Sequence, residues 1–256
     1  MTDPSGFGSG SRLTFNSPLS DARADRLVAD LAAQRPETVT DFGCGWGELL
    51  LRILQAAPQA RGTGVDVHGP DVQRARRAAV ERGLEHRATF VEAPAAEHLR
   101  PVDLVISSGA YQAFGTIPDA LKAIRPIVNP GGRLLFGCEV WERTPTSEEL
   151  AAMWPGTTIE DCLFLPDLVD HAVASGFRPL EIGMATRDEW DRFESGFAAG
   201  AEEWLLANSD HDEAEAVRAR LDAHRTIWLR GSRQVMGYAY LTLGPDPRTD
   251  DGPGGG

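Results

Sequence analysis

Two acidic residues and a glycine-rich turn near the start of the chain have the types and spacing of a ligand site. Val39-Thr-Asp-Phe-Gly-Cys-Gly-Trp-Gly47 runs from a short apolar strand into a G-x-G-x-G loop. Glycines at such a turn let the backbone fold tightly and let a ligand approach the main chain, because no Cβ obstructs it. Asp66 ends the next apolar segment, where an acid can accept hydrogen bonds from ribose hydroxyls. The pattern indicates a nucleoside-containing cofactor.

The loop also differs from the turn that binds dinucleotides. It lacks the third glycine spacing of G-x-G-x-x-G, and Asp41 stands two residues before the first glycine. A carboxylate at that point would repel a pyrophosphate, whereas it suits a cationic group such as a sulfonium or an ammonium. The sequence therefore favours a cationic nucleoside cofactor.

Strand and helix patterns alternate around this loop. Apolar spacing predicts a first helix that starts at Ser20 or Asp21, with Ala24, Leu27, Val28 and Leu31 on its buried face. Strands are predicted within 39–47 and at 62–66, 88–92, 102–107, 133–137, 178–184 and 235–243. A further helix is predicted over the leucine-rich residues 49–54 and onward to about residue 57. Others are predicted at 70–82, 116–127 and 166–175. Seven strands in this order predict an α/β fold with a doubly wound, Rossmann-like sheet, mostly parallel, with the last strand antiparallel.

The segment before the last strand departs from the alternation. Residues 188–233 have helical periodicity and many charges, and we interpret them as two helices broken near Asn208. Their aromatic residues form either an acceptor pocket or an ordinary helix core. We predict a flexible segment at 1–19, one domain at 20–244 with a helical insertion at about 188–233, and a disordered tail at 245–256.

Four segments together resemble class I S-adenosylmethionine-dependent methyltransferases, most of all the bacterial small-molecule enzymes, including those of secondary metabolism. The segments are 41–47, 64–66, 102–108 and 129–133. The resemblance implies S-adenosyl-L-methionine as cofactor and S-adenosyl-L-homocysteine as product. It implies that Gly43, Gly45 and Gly47 contact the methionyl and ribose parts, that Asp41 lies near the amino group, and that Asp66 holds the ribose hydroxyls.

Adenine recognition departs from the usual family pattern. Many relatives place an acid beside a small residue after the third strand, but here Pro94 occupies the position of the usual aspartate. The carboxylates of Glu92 and Glu97 and the backbone of Ala93 are the alternatives, and Val67 can pack on the ring. Ser107, at the end of the fourth strand, completes the predicted cofactor-binding set.

The acceptor and the chemistry are expected beyond the carboxyl ends of the strands, where open α/β sheets bind ligands. Hydroxyls and an amide in 107–112 can orient a polar acceptor. Glu139 is the first candidate for a general base and Tyr111 the second. Gln112 stands where similar bacterial sequences place a histidine, and its amide cannot act as a base. We therefore predict methyl transfer driven mainly by proximity and orientation.

Composition limits the possible partners. The net charge of −13 and the pI of about 4.9 argue against nucleic acid, and no apolar run is long enough for a membrane. Three widely spaced cysteines suggest reduced thiols and no zinc site. The sequence predicts a cytoplasmic enzyme with a small-molecule acceptor and no metal, and it leaves the oligomeric state open. The alternatives are another transfer or a cyclisation with the same cofactor, or a non-catalytic nucleoside-binding module.

Overall fold

The chain forms two compact units, each assembled from separate stretches of sequence. The structure, a computed structural model, describes residues 5–249. The part of the predicted tail from residue 250 onward lies outside the described residues. In its described part, the larger unit consists of Ser20–Cys138, Pro166–Met184 and 239–249. The smaller unit consists of 5–19, Glu139–Leu165 and Ala185–Tyr238. It thus contains the predicted insertion together with two further segments.

Helices and strands alternate as the sequence predicts. The strands are β1 (Thr38–Phe42), β2 (Arg61–Asp66), β3 (Ala88–Glu92), β4 (Val102–Ser108), β5 (Val128–Trp141), β6 (Leu163–Phe164), β7 (Phe177–Met184) and β8 (Met236–Pro245). The helices are α1 (Asp21–Ala33), α2 (Glu48–Ala56), α3 (Gly69–Glu81), α4 (Ile117–Ile124), α5 (Ser147–Ala152), α6 (Leu165–Ala174), α7 (Arg187–Ala207) and α8 (Ala214–Thr226). Among the described residues, no helix combines the length and the apolar character that a membrane span requires.

The sheet has the order β3-β2-β1-β4-β5-β8-β7, and β6 pairs with β5 outside this path. Strands β1 to β5 pair in parallel, whereas β7 and β8 pair antiparallel. The predicted doubly wound, mostly parallel fold is therefore confirmed. Because β1 lies between β2 and β4, the order of the strands reverses at β1. The loops that follow these parallel strands meet at the carboxyl edge of the sheet.

Local sequence explains why the predicted helices form. The Ser20 hydroxyl accepts a hydrogen bond from the Arg23 N–H at 3.2 Å and begins α1, whose buried residues are the four predicted ones. Thr116 and Asp119 form a capping box that begins α4. The α-helix ends at Ile124, earlier than predicted, and Arg125–Ile127 continues as a 3₁₀ turn around Pro126.

Residues 129–132 precede the strand predicted at 133–137, but in the structure they belong to the same strand. This segment lies inside β5, because pairing with β4 exists on both of its sides, at Val128 and again from Arg133. The register shifts between these points, and Gly131 has a φ of +78°. The turn is therefore a bulge within a longer strand.

The smaller unit is built on a helix pair. Its core is Ala201, Val217 and Leu221, and α7 ends at Ala207, which confirms the predicted break near Asn208. The N-terminal segment, predicted to be flexible, lies along α7. A Cβ on Gly196 would be 2.5 Å from Leu13 Cδ2, so the N-terminal segment and α7 approach closely there.

Candidate active site

The glycine loop between β1 and α2 is held in a conformation that other residues rarely adopt. Gly43 has a φ of +66° and Gly47 a φ of +73°. A Cβ on Gly43 would lie 2.3 Å from Ala110 Cβ, and one on Gly47 would lie 2.4 Å from the Phe90 ring. Both positions therefore exclude a side chain by conformation and by space.

Asp66 is joined directly to this loop. Its Oδ2 accepts a hydrogen bond from the Gly45 N–H, and its Oδ1 accepts one from the His68 N–H, each at 2.8 Å. The Gly43 N–H donates to the Val65 carbonyl at 2.8 Å, which fixes the loop on the end of β2. The acid and the glycines that the sequence assigns to one ligand therefore form one structural site.

Asp41 is a second acidic group beside this loop. Asp41 is 4% exposed, and burial raises the pKa of its carboxyl, with the nearby Asp66 raising it further. Burial and the same two acids also raise the pKa of the Cys44 thiol, which stays protonated at neutral pH. Cys44 is thus not an activated nucleophile. The site is suited to a ligand that brings positive charge.

Trp46 packs within the larger unit. Its ring is buried, and the guanidinium carbon of Arg74, on α3, lies 4.1 Å from the ring centroid. The structure thus shows a cation–π contact between this ring and α3. The contact braces the loop against the helix that follows β2.

The residues predicted to meet adenine lie beside Asp66. Asp66 pairs with Glu92 across β2 and β3, and the Ala93 N–H donates to the Asp66 carbonyl at 3.0 Å. The Glu92 carboxylate contacts the start of α3, since a Cβ on Gly69 would be 2.8 Å from its Oε2. Val67 is 71% exposed. The structure thus brings Val67, Glu92 and Ala93 to the same sheet edge as the glycine loop.

The residues after β4 divide between the interior and the surface. Ser107 pairs with Phe42 of β1 and is 0% exposed, and its Oγ has no hydrogen-bond partner in the part of the chain that the structure describes. Tyr111 begins a short 3₁₀ turn and is half-buried, whereas Gln112 is exposed. Tyr111 and Gln112 are thus more open than Ser107.

Glu139 belongs to the smaller unit, where Glu194 is an acidic neighbour that the sequence did not indicate. Burial raises the pKa of the Glu139 carboxyl, and the Glu194 carboxyl raises it further. Glu194, on α7, is 8% exposed, and its Oε2 lies 3.2 Å from Nε2 of His224 on α8. The signal in the sequence was a glutamate within the aromatic stripe of Trp190 and Phe197. Among residues 5–249, no three His, Cys, Asp or Glu side chains are grouped to hold a metal ion.

Comparison with known proteins agrees with this geometry. A family model described as a methyltransferase domain matches residues 40–134, which contain the glycine loop and Asp66. A SAM-dependent methyltransferase from Thiobacillus denitrificans, solved in complex with S-adenosyl-L-homocysteine, aligns with a TM-score of 0.82 and 26% identity, covering 94% of this chain and 97% of that one. The chain belongs to the class I S-adenosylmethionine-dependent methyltransferases.

Two curated relatives extend over most of this methyltransferase. An uncharacterized protein of Escherichia coli, YjhP, is 28% identical over 231 residues, which are 90% of this chain and 93% of the relative. The 27-O-demethylrifamycin SV methyltransferase of Amycolatopsis mediterranei is 26% identical over 227 residues, or 85% of this chain and 80% of the relative. The family predicted from the motifs is confirmed, and S-adenosyl-L-methionine is the cofactor of that family.

Proposed function

We propose that this methyltransferase transfers the methyl group of S-adenosyl-L-methionine to an N, O or C atom of a small molecule, mainly by placing the two reactants. The observation that supports this most strongly is the pair of acids, Asp41 and Asp66, around a loop that excludes side chains at Gly43 and Gly47. The relative from Amycolatopsis, named for a small-molecule acceptor, supports the same class of acceptor.

The residues present fit this cofactor. The cofactor is a cation, and a positive charge near Asp41 and Asp66 offsets the repulsion and burial that raise the Asp41 pKa. In our proposal Asp66 holds the ribose hydroxyls, the three loop glycines contact the methionyl and ribose parts, and Asp41 lies near the amino group. Glu92, Ala93 and Val67, on the edge beside Asp66, are the proposed contacts of the adenine ring.

The chain's own contribution to the chemistry is placement and proton transfer. S-adenosyl-L-methionine supplies an electrophilic methyl group on a sulfonium. Orientation of an acceptor and exclusion of water can lower the barrier without a covalent intermediate, which agrees with a protonated Cys44. Glu139 remains our first proposed general base for the methyl acceptor. Burial raises the pKa of its carboxyl, and a general base is more effective when its pKa is closer to the working pH. Tyr111 is the second, and Gln112 and Ser107 are proposed to orient groups.

Other predictions from the sequence remain proposals. They are the cytoplasmic location, a role in secondary metabolism and the lack of a nucleic-acid partner, which the net charge of −13 supports.

Product analysis tests the proposed function. The protein is incubated with S-adenosyl-L-methionine and a panel of small amines, phenols and carboxylic acids, and the products are measured by mass spectrometry. We expect S-adenosyl-L-homocysteine together with a product heavier by one CH₂. Release of methylthioadenosine would show a different group transfer, and calorimetry that detects no binding of either cofactor form at millimolar concentration would refute the proposal.

A further inference from the structure

The smaller unit contains a buried cluster of charged groups around the contact between α7 and α8. Glu194 Oε2 and His224 Nε2 are 3.2 Å apart, although the two atoms are not aligned as a hydrogen bond. Two aromatic rings contact the imidazole, since the rings of Phe7 and Phe197 have their centroids 5.6 and 5.5 Å from that of His224. Glu139 is close enough to Glu194 for the two carboxyls to repel each other.

The charges of this cluster do not balance. The cluster contains two carboxyl groups, Glu139 and Glu194, and one imidazole, that of His224, while Cys162 beside Glu139 stays neutral because burial raises its pKa to about 12. The nearby Asp191 is already matched by Arg233, through two hydrogen bonds of 2.8 Å. The nearby Arg225 is itself paired with Glu202 and Asp222. With His224 protonated and both carboxyls ionised, the cluster therefore carries one more negative than positive charge. A buried charge is costly unless it is paired, so the cluster is suited to a cation.

Two buried donors also need an acceptor. The indole Nε1 atoms of Trp190 and Trp228 are buried and have no hydrogen-bond partner among the described residues. Trp190 as a whole is 5% exposed. Buried N–H groups are nearly always paired, so two such donors in one unit are unusual.

Helix geometry places these donors beside the charged cluster. α7 and α8 are antiparallel, because Ala201 packs with Val217 and Leu221 while the earlier Glu194 meets the later His224. Trp190 precedes Glu194 by about one turn, and Trp228, in the π-helical turn Ile227–Gly231 that continues α8, follows His224 by about one turn. In an antiparallel pair these two steps lead to the same end. Trp190 and Trp228 therefore belong to the same end of the helix pair, on one side of the contact between Glu194 and His224.

We infer that the smaller unit holds a binding site for a small organic amine that also carries an oxygen acceptor. Glu139 and Glu194 face the ammonium group, and the indole N–H groups of Trp190 and Trp228 face the oxygen. The aromatic rings around the cluster add favourable contacts with a cation. The identification of this molecule as the methyl acceptor rests on the proposed function. The existence of the binding site does not depend on that function.

Spectra of protein labelled with ¹⁵N-tryptophan test this site. The chain has six tryptophans, and the variants W190F and W228F assign the two indole N–H signals of interest. Two sets of matched probes carry both groups, only the amine or only the carboxylate: alanine, ethylamine and propionate, and phenylalanine, 2-phenylethylamine and 3-phenylpropionate. In at least one set, we expect the probe with both groups to shift the Trp190 and Trp228 signals and to bind at least five-fold more tightly than either partner.

Two variants of the cluster and one control variant separate the role of the carboxylates from that of net charge. E139Q and E194Q should each weaken probes with an amine at least five-fold and leave the carboxylate-only probes unchanged or tighter. D170N, which alters an exposed acid of α6, should have no effect on any probe. The spectrum itself reports whether each variant folds.

Other outcomes would overturn the inference. They are probe shifts confined to the other four indoles, equal binding of the carboxylate-only probes, or no shift in either set at 50 mM. Calorimetry with S-adenosyl-L-homocysteine on the same sample keeps the two proposals distinct. If the cofactor binds normally but no probe shifts the Trp190 and Trp228 signals, only this site is refuted. If the cofactor does not bind but the probes shift these signals, only the proposed function is refuted.

Discussion

The Asp66 carboxylate accepts a hydrogen bond from the backbone N–H of Gly45 at 2.8 Å, across 21 residues of sequence. This bond joins the tip of β2 to the glycine loop after β1, so it fixes the proposed ribose and methionyl contacts relative to each other. It also leaves further lone pairs on the carboxylate, since an ionised acid can accept about four hydrogen bonds. Asp66 can thus order the loop and bind ribose hydroxyls at the same time.

Replacement of Asp66 should therefore weaken cofactor binding. We expect D66A to reduce the affinity for S-adenosyl-L-homocysteine by about 1–3 kcal/mol, because the ribose hydroxyls lose a charged acceptor. Calorimetry measures the change, and D170A, at an exposed acid of α6, serves as the control for net charge. Wild-type affinity in D66A would show that the ribose site lies elsewhere.

Two glycines with similar backbone angles allow the effect of crowding to be isolated. Gly47 has a φ of +73° and Gly83 a φ of +66°, but a Cβ on Gly47 would be 2.4 Å from the Phe90 ring, whereas one on Gly83 meets nothing within 4 Å. We expect G83A to lower the free energy of unfolding by about 1–2 kcal/mol, the cost of a left-handed alanine. G47A should lose roughly 1–3 kcal/mol more through overpacking. Urea denaturation measures both, and equal losses would contradict the crowding of the loop.

The parts of the fold that follow a local pattern could be predicted from the sequence. The buried face of α1 and the apolar run of β4 are visible in a few consecutive residues, and the structure has both. The short α5 and the two-residue β6 lack such a pattern and were missed. The bulge in β5 resembled a loop because its glycine and proline composition is that of a turn, and only pairing with β4 shows that the strand continues.

The candidate site divides in the same way. Asp41, the loop glycines and Asp66 lie at the ends of adjacent strands, so their proximity follows from the predicted order of strands. The contact between Glu194 and His224 depends instead on how two helices pack, which residue spacing within either helix does not specify. Arg74 over Trp46 is a further contact of this kind.

Glu139 should make the protein less stable at neutral and alkaline pH than an uncharged residue would. Burial raises the pKa of its carboxyl in the folded state, so the wild type loses stability as the pH rises through that folded value. We expect E139Q to be more stable than the wild type at pH 8, with the difference disappearing below the ordinary pKa of glutamate. Thermal denaturation from pH 4 to 8 measures this, and E160Q, at an exposed acid of the same unit, should show no such trend. A constant difference between E139Q and the wild type would contradict burial of the charge.

The contact between Glu194 and His224 should have the opposite dependence on pH. The adjacent Glu194 raises the pKa of His224, while burial and the nearby Arg225 lower it by less. A raised folded pKa means that the stabilisation is fully present below the unfolded pKa of histidine, about 6.5, and is lost as the pH rises through the folded value. A double-mutant cycle of H224Q and E194Q, followed by urea denaturation, isolates this interaction from the rest of the cluster. We expect a stabilising coupling at pH 6 that has disappeared by pH 9; a coupling that is the same at both pH values would show that the imidazole does not carry the charge.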